Sequence, residues 1–309
     1  MPPDRPIPSR SAVNTSSPIK RRRTGTFGLL LPWLLTFAVF WLYPLAHSAF
    51  LSLNDYNPLT GALRFVGGQH FIQLLSDPDF LNALKNTFVF VLGTVPVTTT
   101  IALLLALGVN RKLPWRGLFR AGFFVPTLTA TVVVALLFIH LYTQGGYLHT
   151  LARMLGVAEP NRGLLLSEKT ALLSVMAMDI WVSVGYYMLL FLAGLQQIPR
   201  DLYDQADLCG ASAWQKLRWV TLPLLKPITL YVVLINTIKS FQIFTEIFVM
   251  TQGGPVGATS TVVYFVYREG FEKFRMGYAS AAAYVLFFVI LIISIAQARF
   301  FGFFRRAER

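Results

Sequence analysis

Cysteine is nearly absent from this chain of 309 residues. The single residue, Cys209, excludes an intramolecular disulfide and any cysteine-based metal cluster. The four histidines are dispersed and show no metal-ligand spacing. No Gly-Lys pair occurs, which excludes a phosphate-binding P-loop. The sequence therefore predicts neither a cofactor nor an enzymatic activity of its own, and any ATP that drives this protein must be hydrolysed by another chain.

Charged residues are also scarce. They make up 13% of the chain, where about 25% is typical of soluble proteins, while 55% of the residues are hydrophobic. This balance predicts an integral membrane protein. Six apolar runs reach the length of roughly 20 residues that a bilayer core requires of a helix. They lie near 27–51, 83–109, 118–142, 170–195, 227–250 and 276–301. Internal prolines such as Pro126 are compatible with such spans, because neighbouring helices satisfy the freed backbone groups.

Lys and Arg are unevenly distributed around the six predicted spans. Eighteen of the 27 lie in the two terminal segments and in the connections after the second and fourth spans, whereas seven lie in the alternate connections. Because positive residues concentrate in cytoplasmic loops, both termini are predicted to be cytoplasmic. The net charge of +13 then reflects orientation in a lipid bilayer, and nucleic-acid binding is not predicted.

Three segments follow from this pattern. Residues 1–26 form a basic tail, rich in Pro, Ser and Arg, that is expected to be disordered. Residues 27–301 form a membrane domain of six helices, and 302–309 form a cytoplasmic C-terminal end. The first apolar run is longer than the core of a signal peptide, so we expect an uncleaved helix.

A charged segment separates the fourth and fifth predicted spans. It reads YDQADLCGASAWQKLRWVTLPLLKP from Tyr203 to Pro227. The pattern predicts two short amphipathic helices, Leu202–Cys209 and Ala211–Leu222, joined at Gly210. Such a surface element is suited to docking into a partner.

Polar residues within the spans are the second functional signal, because a charge at mid-membrane costs about 2.5–3.5 kcal/mol. At 100° per residue, four polar positions of the predicted fifth span fall within an arc of roughly 120°. They are Asn236, Lys239, Gln242 and Glu246. Asp179 in the fourth span belongs with them. Two interpretations stay open for all five: a closed polar network between helices, or the lining of a translocation pathway.

The charged segment resembles the EAA loop of bacterial ABC importer permeases, whose pattern runs E-A-A-x-x-D-G-A, then about nine residues, then a hydrophobic residue-x-L-P. The matching positions here are Asp204, Gln205 and Ala206 at E-A-A, Gly210 at the glycine, and Leu222 and Pro223 at the closing L-P. Asp204 replaces glutamate, and Cys209 replaces the acidic residue. GLQQIP, TQGGP and FRMGYASA resemble the carbohydrate branch of these permeases, of maltose and glycerol-3-phosphate type. The likeness covers about residues 27–301.

The resemblance implies a fold, a location and partners. The fold would be the ABC importer type I permease fold, an all-α integral membrane protein with six transmembrane helices and a coupling loop at 200–224. The location would be the bacterial inner membrane. The partners would be a second homologous permease subunit, two ATP-binding cassette subunits, an extracytoplasmic solute-binding protein and a carbohydrate.

The residues alone leave other functions open. An ion-coupled secondary transporter would use Asp179 and Glu246 as proton sites, and a membrane-bound sensor would bind partners without moving solute. Within the family, the solute stays open between a sugar, an oligosaccharide and glycerol-3-phosphate.

Overall fold

The computed structural model describes residues 23–111 and 115–301. Two compact units divide the chain, Met1–His47 and Ser48–Arg309. In the first unit, helix α1 (Arg23–Phe37) is followed by a π-helical turn at Ala38–Leu42. The predicted basic tail lies outside the described residues except for its last four, which form the first turn of α1. The predicted C-terminal end at 302–309 lies outside them altogether.

Helix α2 (Tyr43–Ser52) runs from the first unit into the second, which is helical apart from one hairpin. Strands β1 (Asn54–Asn57) and β2 (Ala62–Phe65) pair antiparallel, with Asn54 opposite Phe65. The resemblance did not imply this hairpin. The Asn57 side chain accepts a hydrogen bond of 2.9 Å from the backbone N–H of Leu59, which supports the turn between the strands.

The remaining helices follow in chain order. They are α3 (Gln69–Ser76), α4 (Pro78–Asn110), α5 (Arg116–Leu128), α6 (Thr131–Tyr142), α7 (Tyr147–Met154), α8 (Ala171–Gln196), α9 (Arg200–Leu208), α10 (Ala213–Lys216), α11 (Leu222–Phe241), α12 (Thr245–Met250), α13 (Val262–Tyr267) and α14 (Met276–Phe300). Short 3-10 or π-helical turns lie at Leu164–Leu166, Leu217–Thr221 and Arg268–Glu272.

Within the described residues, four helical segments are long and apolar enough to cross a membrane: Leu30–Ser52, α4, α8 and α14. Two bent pairs raise the number to six if each pair is one span. The first is α5 with α6, bent by 96°, and the second is Ala213–Leu224 with Lys226–Phe241, bent by 65°. The predicted number of six is therefore reached when both bent pairs are counted as spans.

The predicted continuous helix over 118–142 is wrong, because the chain is extended at Thr129 and Ala130. Pro126 has no backbone N–H, which removes one hydrogen bond from the last turn of α5. The hydroxyl of Thr127 donates 2.7 Å to the carbonyl oxygen of Val182 on α8. The break is thus tied to a neighbouring helix rather than to lipid.

The predicted continuous helix over 227–250 is wrong as well. Helix α11 ends at Phe241, and α12 begins only at Thr245. The hydroxyl of Thr261 donates 3.2 Å to the carbonyl oxygen of Ile243 inside the break. A backbone acceptor that the helix no longer satisfies is therefore paired by a side chain from another segment, as an apolar surrounding demands.

Helices α4, α8 and α11 form the centre of the second unit. Helix α4 packs along α8, and α11 packs against both. Tyr187 of α8 and Leu225 of α11 share one apolar cluster, while Phe90 of α4 and Val175 of α8 belong to another. These helices therefore hold the polar side chains that lie between them in fixed positions.

At one end of the bundle, polar contacts join the starts of α4 and α14. Asp77 caps α4 by accepting from the N–H of Asp79 at 2.9 Å, and it accepts 2.6 Å from the Tyr278 hydroxyl. Partial burial raises the pKa of the Asp77 carboxyl, but these hydrogen bonds outweigh it and leave that pKa below its ordinary value. Helix α4 therefore starts at Pro78, directly after its capping residue.

Helices α5 and α8 approach closely at Gly185, where a methyl group would overlap the carbonyl oxygen of Phe123. We predict that Gly185→Ala destabilises the protein by about 1–3 kcal/mol, because the two backbones must separate. The measurement is thermal unfolding in detergent. Gly117→Ala on α5 is the matched control, since a methyl group there meets nothing within 4 Å. Equal unfolding temperatures for Gly185→Ala and the unmodified protein would refute this packing.

Candidate coupling segment and interior polar cluster

The exposed segment between α8 and α11 begins with α9, which ends in a tight reversal at Gly210. The N–H of Gly210 donates 2.9 Å to the carbonyl of Asp207, and the N–H of Ala211 donates 2.9 Å to the carbonyl of Ala206. Gly210 has a φ of 72°, a left-handed conformation that glycine adopts without strain. The predicted bend at Gly210 is confirmed.

The second helix of the segment starts two residues later than predicted. Ser212 caps it: the N–H of Gln215 donates 3.3 Å to the Ser212 hydroxyl, and the Gln215 side chain accepts 2.7 Å from the Ser212 N–H. The predicted end at Leu222 is wrong, because α10 continues through the π-helical turn at Leu217–Thr221 into α11. The coupling segment, defined here as Arg200–Leu224, is therefore joined to α11 without a loop.

The coupling segment presents both charge and apolar surface. Of the predicted coupling residues, Ala206 is half-buried and the others are exposed, namely Asp204, Gln205, Gly210, Leu222 and Pro223. Leu208 is 90% exposed beside them, and Trp214 is exposed on the second helix. Large apolar side chains next to a carboxylate are typical of a surface that binds another protein.

Two contacts hold α9 against the second helix, and sequence reasoning missed both. The Tyr203 hydroxyl lies 2.9 Å from the Thr221 hydroxyl, and Lys216 Nζ lies 2.6 Å from Asp207 Oδ1. The sequence carries a partial signal, because Tyr203 and Asp207 are four positions apart and so share one face of α9. It carries no signal for their partners.

Inside the membrane domain, α8 and α11 meet at a polar cluster formed by Asp179, Ser183 and Lys239. Lys239 Nζ lies 3.7 Å from Asp179 Oδ1 and donates 2.9 Å to the Ser183 hydroxyl. That hydroxyl donates 3.3 Å to Asp179 Oδ1. The structure thus unites two predicted residues on different helices. Ser183 was not predicted, although its place four positions after Asp179 puts it on the same face of α8.

Two of the other predicted pathway residues, Asn236 and Gln242, lie outside this cluster, whereas Glu246 makes no hydrogen bond within it but interacts electrostatically with both Asp179 and Lys239. Asn236 is buried, and its side-chain amide donates a hydrogen bond of 3.5 Å to the carbonyl oxygen of Val95 on α4. Gln242 follows the end of α11 and lines a mostly apolar cavity of about 650 Å³ beside α13 and α14. Glu246 is buried in the first turn of α12. The predicted arrangement as one stripe on a continuous helix is wrong, because α11 ends before Gln242.

The interior polar cluster combines a shielded acid with an accessible base. The Asp179 side chain is 5% exposed, whereas that of Lys239 is 51% exposed. The ammonium of Lys239 therefore compensates the buried carboxylate and still offers hydrogen bonds to a polar solute. Within the described residues, no group of three or more His, Cys, Asp or Glu side chains is placed to hold a metal ion.

Comparison with known proteins adds a family likeness. The profile of the family described as "Binding-protein-dependent transport system inner membrane component" matches residues 80–305. The arabinooligosaccharides transport system permease protein AraP of Bacillus subtilis (strain 168) is 34% identical over 288 residues, which cover 92% of this chain and 90% of that protein. The sn-glycerol-3-phosphate transport system permease protein UgpA of Agrobacterium fabrum (strain C58 / ATCC 33970) is 31% identical over 275 residues, covering 88% and 92%.

A solved structure shares the fold. A chain of a bacterial ABC transporter involved in the import of the acidic polysaccharide alginate superposes with a TM-score of 0.78 and 22% identity. The superposition covers 94% of this chain and 98% of that chain. The implied ABC importer permease fold is confirmed.

We predict that Lys239→Met destabilises the protein and that Asp179→Asn in the same chain restores much of the loss. The single change leaves a buried carboxylate without a counter-charge, and the double change removes both charges. The expected coupling between the two positions is about 1–3 kcal/mol, measured by thermal unfolding of the two single variants and the double variant. Lys85→Met, at an exposed lysine of α4, is the matched control. Additive effects of the two changes would show that the charges do not interact.

Proposed function

Since this chain belongs to the family of binding-protein-dependent transport system inner membrane components, we propose that it imports a carbohydrate by alternating access, driven through its coupling segment. The observation that carries the proposal is the helical continuity between the coupling segment and α11. The exposed coupling segment runs without a loop into α11, and α11 carries Lys239 into the interior polar cluster. One element thus links the expected docking site to the expected solute site.

We place the coupling segment and both termini on the cytoplasmic side, as the distribution of Lys and Arg supports. The segment would there contact one of two ATP-binding cassette subunits. The exposed carboxylate of Asp204 suits an Arg or Lys of that partner. Asp204, Gln205, Ala206, Gly210, Leu222 and Pro223 are the coupling residues in this proposal.

A second, homologous permease subunit would complete the pathway, and an extracytoplasmic solute-binding protein would deliver the solute. A rotation of the coupling segment would tilt α11 against α8 and so change access to the interior polar cluster. The chain itself would supply the pathway and the transmission, and the partner subunits would supply the hydrolysis.

A carbohydrate fits the interior polar cluster better than a phosphate ester does. Lys239 is already engaged by Asp179 and Ser183, so a phosphate would have to compete with a buried carboxylate for the same ammonium. Sugar hydroxyls both donate and accept, and can join these groups without displacing them. Tyr186, seven positions after Asp179 on the same face of α8, is partly exposed and offers a ring for a sugar to stack on.

The proposal is tested with the purified complex in vesicles, together with the ATPase subunits, the second permease and the binding protein. We expect accumulation of labelled oligosaccharide that requires ATP and the binding protein. Uptake driven by a proton gradient without ATP would instead identify an ion-coupled transporter. Binding of solute without accumulation would identify a sensor.

We predict that Gly210→Val uncouples ATP hydrolysis from import. A valine at a φ of 72° is strained by about 1–3 kcal/mol, although no atom lies within 4 Å of the added Cβ. The change therefore acts on the bend alone. Transported solute per ATP hydrolysed should fall severalfold at an unchanged amount of assembled complex.

Gly210→Asn is the matched control, because asparagine tolerates the left-handed conformation better than valine does. It should retain most of the coupling. Normal coupling in Gly210→Val would argue strongly against a role of this bend in transmission.

A further inference from the structure

Two contacts fix the orientation of α9 relative to the helix that becomes α11. Tyr203 and Asp207 lie one turn apart on α9. Their partners flank the π-helical turn: Lys216 directly precedes it and Thr221 is its last residue. A single contact would allow α9 to pivot about Gly210. Two contacts, one turn apart, prevent that rotation.

The two contacts differ in strength. The Asp207–Lys216 ion pair is exposed, with side-chain exposures of 57% and 26%. Water and salt screen such a pair, and exposed pairs contribute little. Thr221 is only 4% exposed, and a hydrogen bond at a shielded position persists better than one in water. The hydroxyl pair is therefore the stronger of the two attachments.

The direction of the hydroxyl pair follows from the partners of Thr221. The Thr221 hydroxyl donates 3.3 Å to the carbonyl of Lys216 within its own helix. A hydroxyl has one proton to donate, so the Tyr203 hydroxyl is the donor to Thr221. Tyr203 thus reaches the backbone of the second helix through one side chain.

Thr221 stands at the junction between the coupling segment and α11. The N–H of Leu222 donates to the carbonyl of Leu217 across the π-helical turn, and Leu222 is the first residue of α11. From there α11 extends over 20 residues, about 30 Å measured along the helix axis, with the 65° bend between Leu224 and Lys226 near its start. Lys239 lies in the last turn of that helix. A force applied to α9 therefore enters α11 at the end opposite to the interior polar cluster.

We propose that the Tyr203–Thr221 hydrogen bond transmits movement of the docked coupling segment to α11, with Tyr203 as a positioning residue. The inference rests on the proposed function and assigns a role that the EAA-like positions do not include. Without this bond, α9 turns about Gly210 while α11 stays in place. ATP is then hydrolysed without a matching movement of the pathway.

The test uses Tyr203→Phe, which removes only the hydroxyl, in the complete complex reconstituted in vesicles. The readouts are initial rates of ATP hydrolysis and of oligosaccharide uptake at equal amounts of assembled complex. We expect hydrolysis to persist and transported solute per ATP to fall about fivefold, the factor that matches one hydrogen bond of ordinary strength. A contact with a purely structural role would change the amount of complex and leave this ratio unchanged.

Partner variants sharpen the result. Thr221→Val should reproduce the loss, Thr221→Ser should retain coupling because it keeps the hydroxyl, and the double variant Tyr203→Phe/Thr221→Val should be no worse than either single change. Tyr147→Phe, at an exposed tyrosine of α7, is the matched control and should behave as the unmodified protein.

Three outcomes overturn the inference. The first is an unchanged amount of transported solute per ATP in Tyr203→Phe, while the unmodified complex couples hydrolysis to import. That result would leave the proposed function intact. The second is loss of assembly in both Tyr203→Phe and Thr221→Val, since the bond would then be a folding contact. The third is ATP-independent import by the unmodified complex, which overturns the proposed function and this inference with it.

Discussion

The requirement that backbone and charged groups be paired away from water governs this molecule. A lipid-facing helix must satisfy its own backbone, so any break needs a partner from the protein. The break between α11 and α12 obeys this rule, because Thr261 binds the freed carbonyl of Ile243, and the break between α5 and α6 is tied to α8 by the hydrogen bond from Thr127 to Val182. The same rule explains why the buried carboxylate of Asp179 lies beside Lys239. The charged side chains of the interior polar cluster are therefore paired between helices.

This constraint also accounts for the two candidate functional regions of the chain. The interior ion pair of Asp179 and Lys239 lies where α8 meets α11, and the coupling segment carries exposed polar side chains. Because α11 continues from that segment, the two regions are mechanically connected although their side chains do not touch. In the proposed mechanism, the Tyr203–Thr221 bond and the turn at Gly210 determine whether α9 moves with α11 or independently of it. The mechanism thus depends on how rigidly α9 is attached to α11.

Hydropathy and turn chemistry predicted much of this arrangement, since the apolar spans and the bend at Gly210 are local properties. The breaks after Leu128 and Phe241 could not be predicted, because the threonines that stabilise them are identified only by tertiary contacts. The pairing of Asp179 with Lys239 is likewise long-range. Placing all polar residues of the fifth span on one face assumed an unbroken helix, and that assumption failed. Ser183 could have been found from its spacing to Asp179.

The central claim is that the coupling segment faces the cytoplasm and is covered by an ATPase subunit. Cys209 provides a direct measurement, since it is the single cysteine of the chain and is exposed next to Gly210. A membrane-impermeant maleimide should label Cys209 in inside-out vesicles and not in right-side-out vesicles, and the bound ATPase should slow that labelling strongly. Labelling from the outer face, or an equal rate with and without the ATPase, would contradict the account.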